Sequence, residues 1–203
     1  FGSKSGFNTA EECFGEYTKH IYAVETGLSS DPLMNWMVSD LDKFLLVSNS
    51  DAHSPENLGR EANAWELEDF SYDEIYNIFK NKDKKKFLYT IEFYPEEGKY
   101  HHDGHLKCGI SLTPEESKKN KGICPVCKKP LIIGTMNRVM ELADRSIEEV
   151  EKIREQFVPY KSLIPLKEII GEIENVGSKS KKVDHIYHKL IKKGENEFNL
   201  LLN

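Results

Sequence analysis

The sequence predicts an α/β chain in three parts: a βαβ segment, then a zinc-ribbon insert, then a small helical domain. Three observations carry this prediction. The apolar runs Ile21-Tyr22-Ala23-Val24-Glu25 and Phe44-Leu45-Leu46-Val47 flank a helix-like stretch, the pattern of parallel strands joined by a crossover. His105 and Cys108, and then Cys124 and Cys127, each stand two residues apart. After Thr135, apolar residues recur at helical spacing.

In chain order, residues 8–18 read as a helix, with Asn8 or Thr9 able to cap it and Glu11-Glu12 suiting its first turn. The first strand follows and ends at Glu25. Gly27 and Ser29-Ser30-Asp31-Pro32 mark a loop, Leu33 to Leu41 a short helix, and Phe44 to Val47 the second strand. Residues 71–80 form a helix with Ile75, Ile78 and Phe79 on one face. Phe87 to Tyr94 is an aromatic-rich strand, closed by the turn Pro95-Glu96-Glu97-Gly98. Val139, Leu142, Ala143, Ile147 and Val150 carry a helical pattern to Val158-Pro159. Leu166 to Ile173 and Val183 to Ile191 are two further helices, and Glu197 to Leu202 is apolar enough to dock. The boundaries so read are 1–86, 87–134 and 135–203.

Composition narrows the class. Among 203 residues, 38% are apolar and 31% charged, with a formal charge of −6. That balance allows a core and argues against a uniformly basic nucleic-acid binder. Local lysine clusters stand out at Lys82 and Lys84-Lys85-Lys86, at Lys118, Lys119, Lys121, Lys128 and Lys129, and at Lys179, Lys181 and Lys182. The third cluster sits at a predicted helix start, where backbone N–H groups also favour phosphate. No apolar run is long enough to span a bilayer. Three of the four cysteines cluster with a histidine, which suits metal binding in a reducing, cytoplasmic setting better than disulfides.

Two metal sites are predicted. Each downstream pair can form a knuckle that offers two ligands to one tetrahedral ion, and thiolate with imidazole favours structural zinc. His105 mirrors the cysteine spacing, while His101 and His102 lie close enough to compete for the fourth position. Upstream, Ser48-Asn49-Ser50-Asp51-Ala52-His53 places a carboxylate and an imidazole where the second strand opens into a loop. Glu25, at the end of the first strand, could face the same mouth. An ion there would lower the pKa of a bound water and polarise a phosphoryl oxygen. The catalytic ion could be zinc, manganese or magnesium. On spacing alone, a solvated loop is an equal reading of Asp51-Ala52-His53.

Ser50-Asp51-Ala52-His53 resembles the last metal-binding motif of the polymerase and histidinol phosphatase (PHP) phosphoesterases. The chain as a whole resembles the carboxyl-terminal half of the endonuclease Q family. The resemblance runs through Glu25-Thr26-Gly27-Leu28-Ser29-Ser30-Asp31-Pro32, Val47 to Ser54, Asp103-Gly104-His105, Cys108, Ile123-Cys124-Pro125-Val126-Cys127, Asn137-Arg138-Val139, Glu141 to Arg145 and Gly177-Ser178-Lys179. It implies part of a PHP-type distorted (β/α) barrel, then the zinc insert and the helical domain. It also implies hydrolysis of DNA on the 5′ side of a deaminated base (uracil, hypoxanthine) or an abasic site by metal-activated water. Asp51 and His53 would hold catalytic metal, and Cys108, Cys124, Cys127 and His105 structural zinc. DNA is the implied partner, with a sliding clamp as a further one, although no clamp-binding motif stands out.

The family's early His-x-His motif has no counterpart here. The expectation is therefore that sequence precedes Phe1 and that the isolated chain cleaves poorly. Asn63, Trp65, Trp36 and Tyr89 could stack on or hydrogen-bond to a base, though packing is the simpler role for each. The competing functions are a PHP-type phosphoesterase for a small phosphorylated metabolite and a noncatalytic zinc-ribbon DNA-binding module.

Overall fold

The computed structural model describes residues 6–98 and 100–202. Phe1 to Ser5 lie outside the described residues. The chain divides into two compact units at Lys161/Ser162.

The first unit opens with α1 (Ala10–Phe14), capped by the Thr9 hydroxyl, which accepts from the Glu12 N–H. A 3-10 turn over Gly15–His20 continues it. β1 (Ala23–Glu25) and β2 (Leu45–Val47) pair in parallel, with Ala23 opposite Leu45 and Glu25 opposite Val47. Between them run α2 (Pro32–Trp36) and a 3-10 turn over Ser39–Lys43. Asp31 caps α2 by accepting from the Met34 N–H at 2.8 Å, and Pro32 fits the first turn because its missing N–H is not needed there. The predicted βαβ unit is present, and it places the ends of β1 and β2 side by side.

β3 (Ala62–Trp65) pairs antiparallel with β4 (Phe87–Glu92), and β7 (Tyr160–Ser162) extends that sheet on the far side of β4. α3 (Tyr72–Asn81) connects β3 to β4. It buries Ile78 against Leu45, Phe87 and Val158, and Phe79 packs at the edge of this cluster. Trp65 stacks on Phe87 with ring centroids 4.1 Å apart. Trp36 stacks on Phe157 at 4.7 Å inside a second cluster, with Met34, Met37, Leu46, Val139 and Val150. Both tryptophans are thus packing residues. Tyr89 lies under the Lys161 ammonium, 4.5 Å from the ring centroid.

β5 (Asp103–His105) and β6 (Ile110–Leu112) form a small antiparallel hairpin, and α4 (Pro114–Lys119) follows with a Thr113–Glu116 capping box. The helical pattern after Thr135 resolves into α5 (Thr135–Leu142) and α6 (Ile147–Ile153). The predicted single run is broken because residues 144–146 are engaged elsewhere. The Asp144 carboxylate accepts from the Ser39 N–H at 2.8 Å and from the Ser39 hydroxyl. Arg145 forks onto both oxygens of Asp42, at 2.9 and 2.5 Å. Ser146 then caps α6. Val139 and Val150 complete the Trp36 cluster, so α5 and α6 belong to the first compact unit.

The second unit is helical: α7 (Leu166–Ile173), α8 (Lys181–Gly194) and α9 (Glu197–Leu202). Leu166, Ile170 and Val183 are its buried centre, flanked by Ile186, Tyr187, Leu190, Ile191, Leu200 and Leu201. Glu197 ties it together, accepting from the Leu166 N–H at 2.6 Å and the Tyr187 hydroxyl at 3.0 Å. The α7–α8 turn needs a bare glycine at 171, where a Cβ would meet the Val176 carbonyl oxygen at 2.9 Å. Among the described residues, no helix is long and apolar enough to cross a membrane.

Candidate functional site

The downstream centre assembles from two loops. His105 ends β5 and Cys108 follows in a 3-10 turn that closes on Gly109, at φ 63°. Cys124 and Cys127 bracket the turn Cys124-Pro125-Val126-Cys127, which closes with the Lys128 N–H donating to the Cys124 carbonyl at 3.0 Å. A bridge between Gly104 and Ile132, with N–H to O distances of 2.9 and 2.8 Å, brings the loops together.

The ligand atoms of His105, Cys108, Cys124 and Cys127 all lie within 4.8 Å of one another. His105 Nδ1 is 3.0 Å from Cys108 Sγ and 3.3 Å from Cys127 Sγ. A tetrahedral zinc with sulfur at about 2.3 Å and nitrogen at about 2.0 Å needs four ligand atoms gathered on this scale. Three soft thiolates and one imidazole fit a closed structural site. Cys124 is fully buried, and backbone N–H groups of the turn, first that of Cys127, hold its thiol below the usual range. Burial pushes the Cys108 thiol up to about 11, a cost that a bound cation removes.

The two competing histidines point elsewhere. His101 Nδ1 is 3.2 Å from the Ser29 carbonyl oxygen, and His102 Nδ1 is buried with no hydrogen-bond partner. Asp103 anchors the insert to α5, accepting from the Gly134 N–H at 2.7 Å and the Asn137 amide at 2.6 Å.

The upstream loop is arranged differently. β1 and β2 deliver Glu25 and Ser48-Asn49 to one edge, where Asn49 Nδ2 donates to Glu25 Oε1 at 3.0 Å. Asp51 follows at φ 44°, a left-handed conformation that an Asp tolerates better than most residues. His53 Nδ1 lies 2.9 Å from the Asp51 carbonyl oxygen and 4.0 Å from Asp51 Oδ1. The side chains of His53 and Asp51 are 86% and 76% exposed. Glu25 is exposed as well. Among the described residues, only the His105 cluster gathers three or more metal-ligating groups. Asp51 and His53 lie side by side and Asn49 ties Glu25 to the start of the same loop, but the three do not close a site by themselves.

Beneath this edge lie two acids that the sequence did not single out. Glu92 is fully buried and accepts from Thr90 Oγ1 at 2.5 Å and Thr26 Oγ1 at 3.0 Å. Glu61 is 3% exposed, and neither carboxylate oxygen has a hydrogen-bond partner. Each is raised to about 7, chiefly by burial, with the Glu92 charge a second cause at Glu61. No local pattern marks them, because each looks like an ordinary surface glutamate in a charge-rich sequence.

The lysine clusters also have definite places. Lys82 Nζ donates to the Asp42 carbonyl and Lys84 Nζ to the Gln156 carbonyl, while Lys86 pairs with Glu74 and Glu68. Most of the first cluster is thus engaged within the fold. Lys182 pairs with Glu174 in the helical unit.

By structure the chain is similar to the lesion-specific endonucleases. The particular likeness is to endonuclease Q, and it is consistent with that protein's carboxyl-terminal half. The crystal structure of the lesion-specific endonuclease PfuEndoQ from Pyrococcus furiosus matches with a TM-score of 0.81 at 29% identity, over 96% of this chain and 48% of that one. A complex of endonuclease Q with a 27-mer duplex carrying an abasic lesion at the active site matches at 0.80, also at 29% identity, over 93% and 46%. In sequence, the chain is 36% identical over 204 residues to uncharacterized protein MJ0043 of Methanocaldococcus jannaschii, covering 97% of this chain and 25% of that protein. It is 32% identical over 161 residues to uncharacterized protein YqxK of Bacillus subtilis, covering 74% of this chain and 40% of that protein. Residues 165–203 match the family described as the MJ0043 C-terminal domain. The chain thus spans a quarter to two fifths of these two relatives and about half of endonuclease Q.

Proposed function

We propose that this chain is part of a DNA-repair endonuclease that hydrolyses the phosphodiester 5′ of a deaminated base or an abasic site. The observation that carries the reading is the likeness to a lesion-specific endonuclease over nearly the whole chain. The proposed architecture is the carboxyl-terminal part of a PHP-type barrel, a zinc ribbon and a helical domain. Water adds to phosphorus, the bond to the upstream 3′ oxygen breaks, and that oxygen leaves with a proton as a 3′-hydroxyl. The 5′-phosphate stays on the lesion-bearing side.

Asp51, His53 and Glu25 would contribute ligands to a catalytic ion, with further ligands from outside this sequence. A zinc, manganese or magnesium ion held there would supply an acidified water and neutralise phosphoryl charge. His105, Cys108, Cys124 and Cys127 would hold a structural zinc that fixes the insert. A damaged base is cheaper to unstack than a normal pair, which gives such an enzyme its selectivity. Lys179, Lys181 and Lys182 would meet the DNA backbone, and a sliding clamp is a further proposed partner. The thiolate cluster suits a reducing cytoplasm.

The test is nicking of a uracil-containing duplex by the full-length protein with added Mn2+, its abolition by a chelator, and its loss in Asp51→Asn. The isolated 203-residue chain is expected to nick poorly. A second reading, a noncatalytic zinc-ribbon DNA-binding module, draws on the exposure of Asp51 and His53. It predicts that Asp51→Asn changes neither cleavage nor binding. A small-metabolite phosphoesterase would instead hydrolyse a generic phosphate monoester and ignore the duplex.

A further inference from the structure

We propose that Asn63, assisted by Arg60, is a positioning residue that presents Asp51 and His53 for metal binding. The inference rests on the reading of the upstream loop given above, and concerns how that loop is held.

Hydrogen bonding assigns β1–β2 and β3–β4–β7 to separate sheets. The β1–β2 ladder ends where the Thr26 N–H donates to the Val47 carbonyl at 3.0 Å. One residue later the Asn63 carboxamide takes over. Its Oδ1 accepts from the Ser48 N–H at 3.0 Å, and its Nδ2 donates to the Ser48 carbonyl at 2.7 Å. A side chain thereby makes both bonds that a neighbouring backbone would make. Nδ2 also reaches Asn49 Oδ1 at 3.3 Å, and Asn49 in turn holds Glu25.

Ser48 is fully buried, and its hydroxyl donates to the Ile91 carbonyl at 2.9 Å. Arg60, three residues before Asn63, donates from Nε to the Ser50 carbonyl at 2.9 Å. Ser48, Asn49 and Ser50 are therefore each tied down. Asp51, at its positive φ, and His53 come next with their side chains exposed. Such a loop has already lost the freedom that metal binding would otherwise have to remove.

The donor pattern fixes the amide orientation and sharpens the test. Oδ1 faces an N–H, and Nδ2 faces two oxygens. Asn63→Asp keeps the shape, yet sets a carboxylate oxygen against the Ser48 carbonyl and Asn49 Oδ1. In the full-length protein, Mn2+ affinity is read by calorimetry beside kcat and KM on uracil-containing duplex. Asn63→Asp is expected to weaken Mn2+ by about 10- to 100-fold and to lower kcat with KM for DNA unchanged. Excess Mn2+ should restore part of the rate, a rescue that a merely structural defect would not show.

Arg60→Ala is the second variant and decides the matter if Asn63→Asp fails to fold. A raised Mn2+ requirement supports the proposal, and a wild-type requirement overturns it. Asp51→Asn runs in parallel. If Asp51→Asn binds Mn2+ as wild type does, the metal reading of the loop fails. If it loses Mn2+ while the Asn63 and Arg60 variants bind normally, only the positioning role fails.

Discussion

Asn49 and Glu25 meet at 3.0 Å across the ends of two parallel strands, with the Asn49 amide donating to the Glu25 carboxylate. Register places them there, because Glu25 stands opposite Val47, two residues before Asn49. The hydrogen bond commits one oxygen of Glu25, Oε1, to the scaffold. Glu25→Gln separates that bond from the charge. The new carboxamide oxygen can still accept from Asn49, while the charge is gone. If Glu25 is a metal ligand, the full-length protein should need about 10-fold or more Mn2+ for half-maximal nicking. An unchanged metal titration would assign Glu25 to the scaffold alone.

The cysteine centre should bind one zinc per chain and hold residues 103–134 together. Structural zinc contributes on the order of 10 kcal/mol to folding in small metal-binding domains. Cys124→Ser should therefore lose the ion by elemental analysis and open the insert to limited proteolysis between β5 and α5. Asp103 supplies a control, since its bonds to Gly134 and Asn137 lie outside the ligand set. Asp103→Asn should loosen the insert without emptying the centre.

Much of this architecture was legible in the sequence, for identifiable reasons. β1 and β2 are apolar runs bounded by turn signals, and α7 ends where periodicity placed it, at Leu166 and Ile173. The His/Cys spacing carried its own geometry. β3 was not legible, because Ala62 to Trp65 are all half-buried and show no alternation. The break between α5 and α6 had a local signal in Ser146 and Glu149, a capping box that apolar spacing outweighed. Its cause, the pairing of Arg145 with Asp42, spans about a hundred residues of chain and leaves no local trace. In the sequence Asn63 reads only as a residue that could hydrogen-bond to a base or pack. Its role depends on β3 lying against the exit of β2, which only the fold reveals.

The pairing of Arg145 with Asp42 should be worth about 1–2 kcal/mol, since the geometry is bidentate but both side chains remain partly exposed. Arg145→Ala also removes a bond to the Trp36 carbonyl. It should lower the urea midpoint with little change in slope. Arg145→Lys should recover only part of the loss, because an ammonium does not fork onto two oxygens.

Glu61 and Glu92 set a pH dependence. Both carboxyls rise from 4.5 to about 7 in the fold, chiefly through burial. The folded state therefore binds more protons than the unfolded chain between those values, so stability is greatest below pH 4.5 for this pair and falls as pH rises through 7. The combined loss is on the order of a few kcal/mol, shared between coupled groups. Glu61→Gln removes one of the two charges and relieves Glu92 of its neighbour. The variant should melt higher than wild type at pH 8 and nearly alike at pH 5. A wild-type melting temperature that climbs from pH 5 to pH 8 through this window would overturn the assignment.

The helical unit offers the last test, one of DNA binding rather than of chemistry. Lys181 and Lys182 open α8 beneath the Ser180 cap, and Lys179 precedes them. If they meet phosphates, removing each lysine should lower the salt slope of duplex binding by about one. Replacing all three by Gln should weaken binding uniformly for lesion-bearing and undamaged duplexes. The ratio of lesion to undamaged cleavage should stay the same, because bonds to phosphate position the duplex without reading it. A selective loss on the lesion duplex would move these lysines from the backbone to the lesion pocket. Unchanged binding at both low and moderate salt would show that the DNA path runs elsewhere.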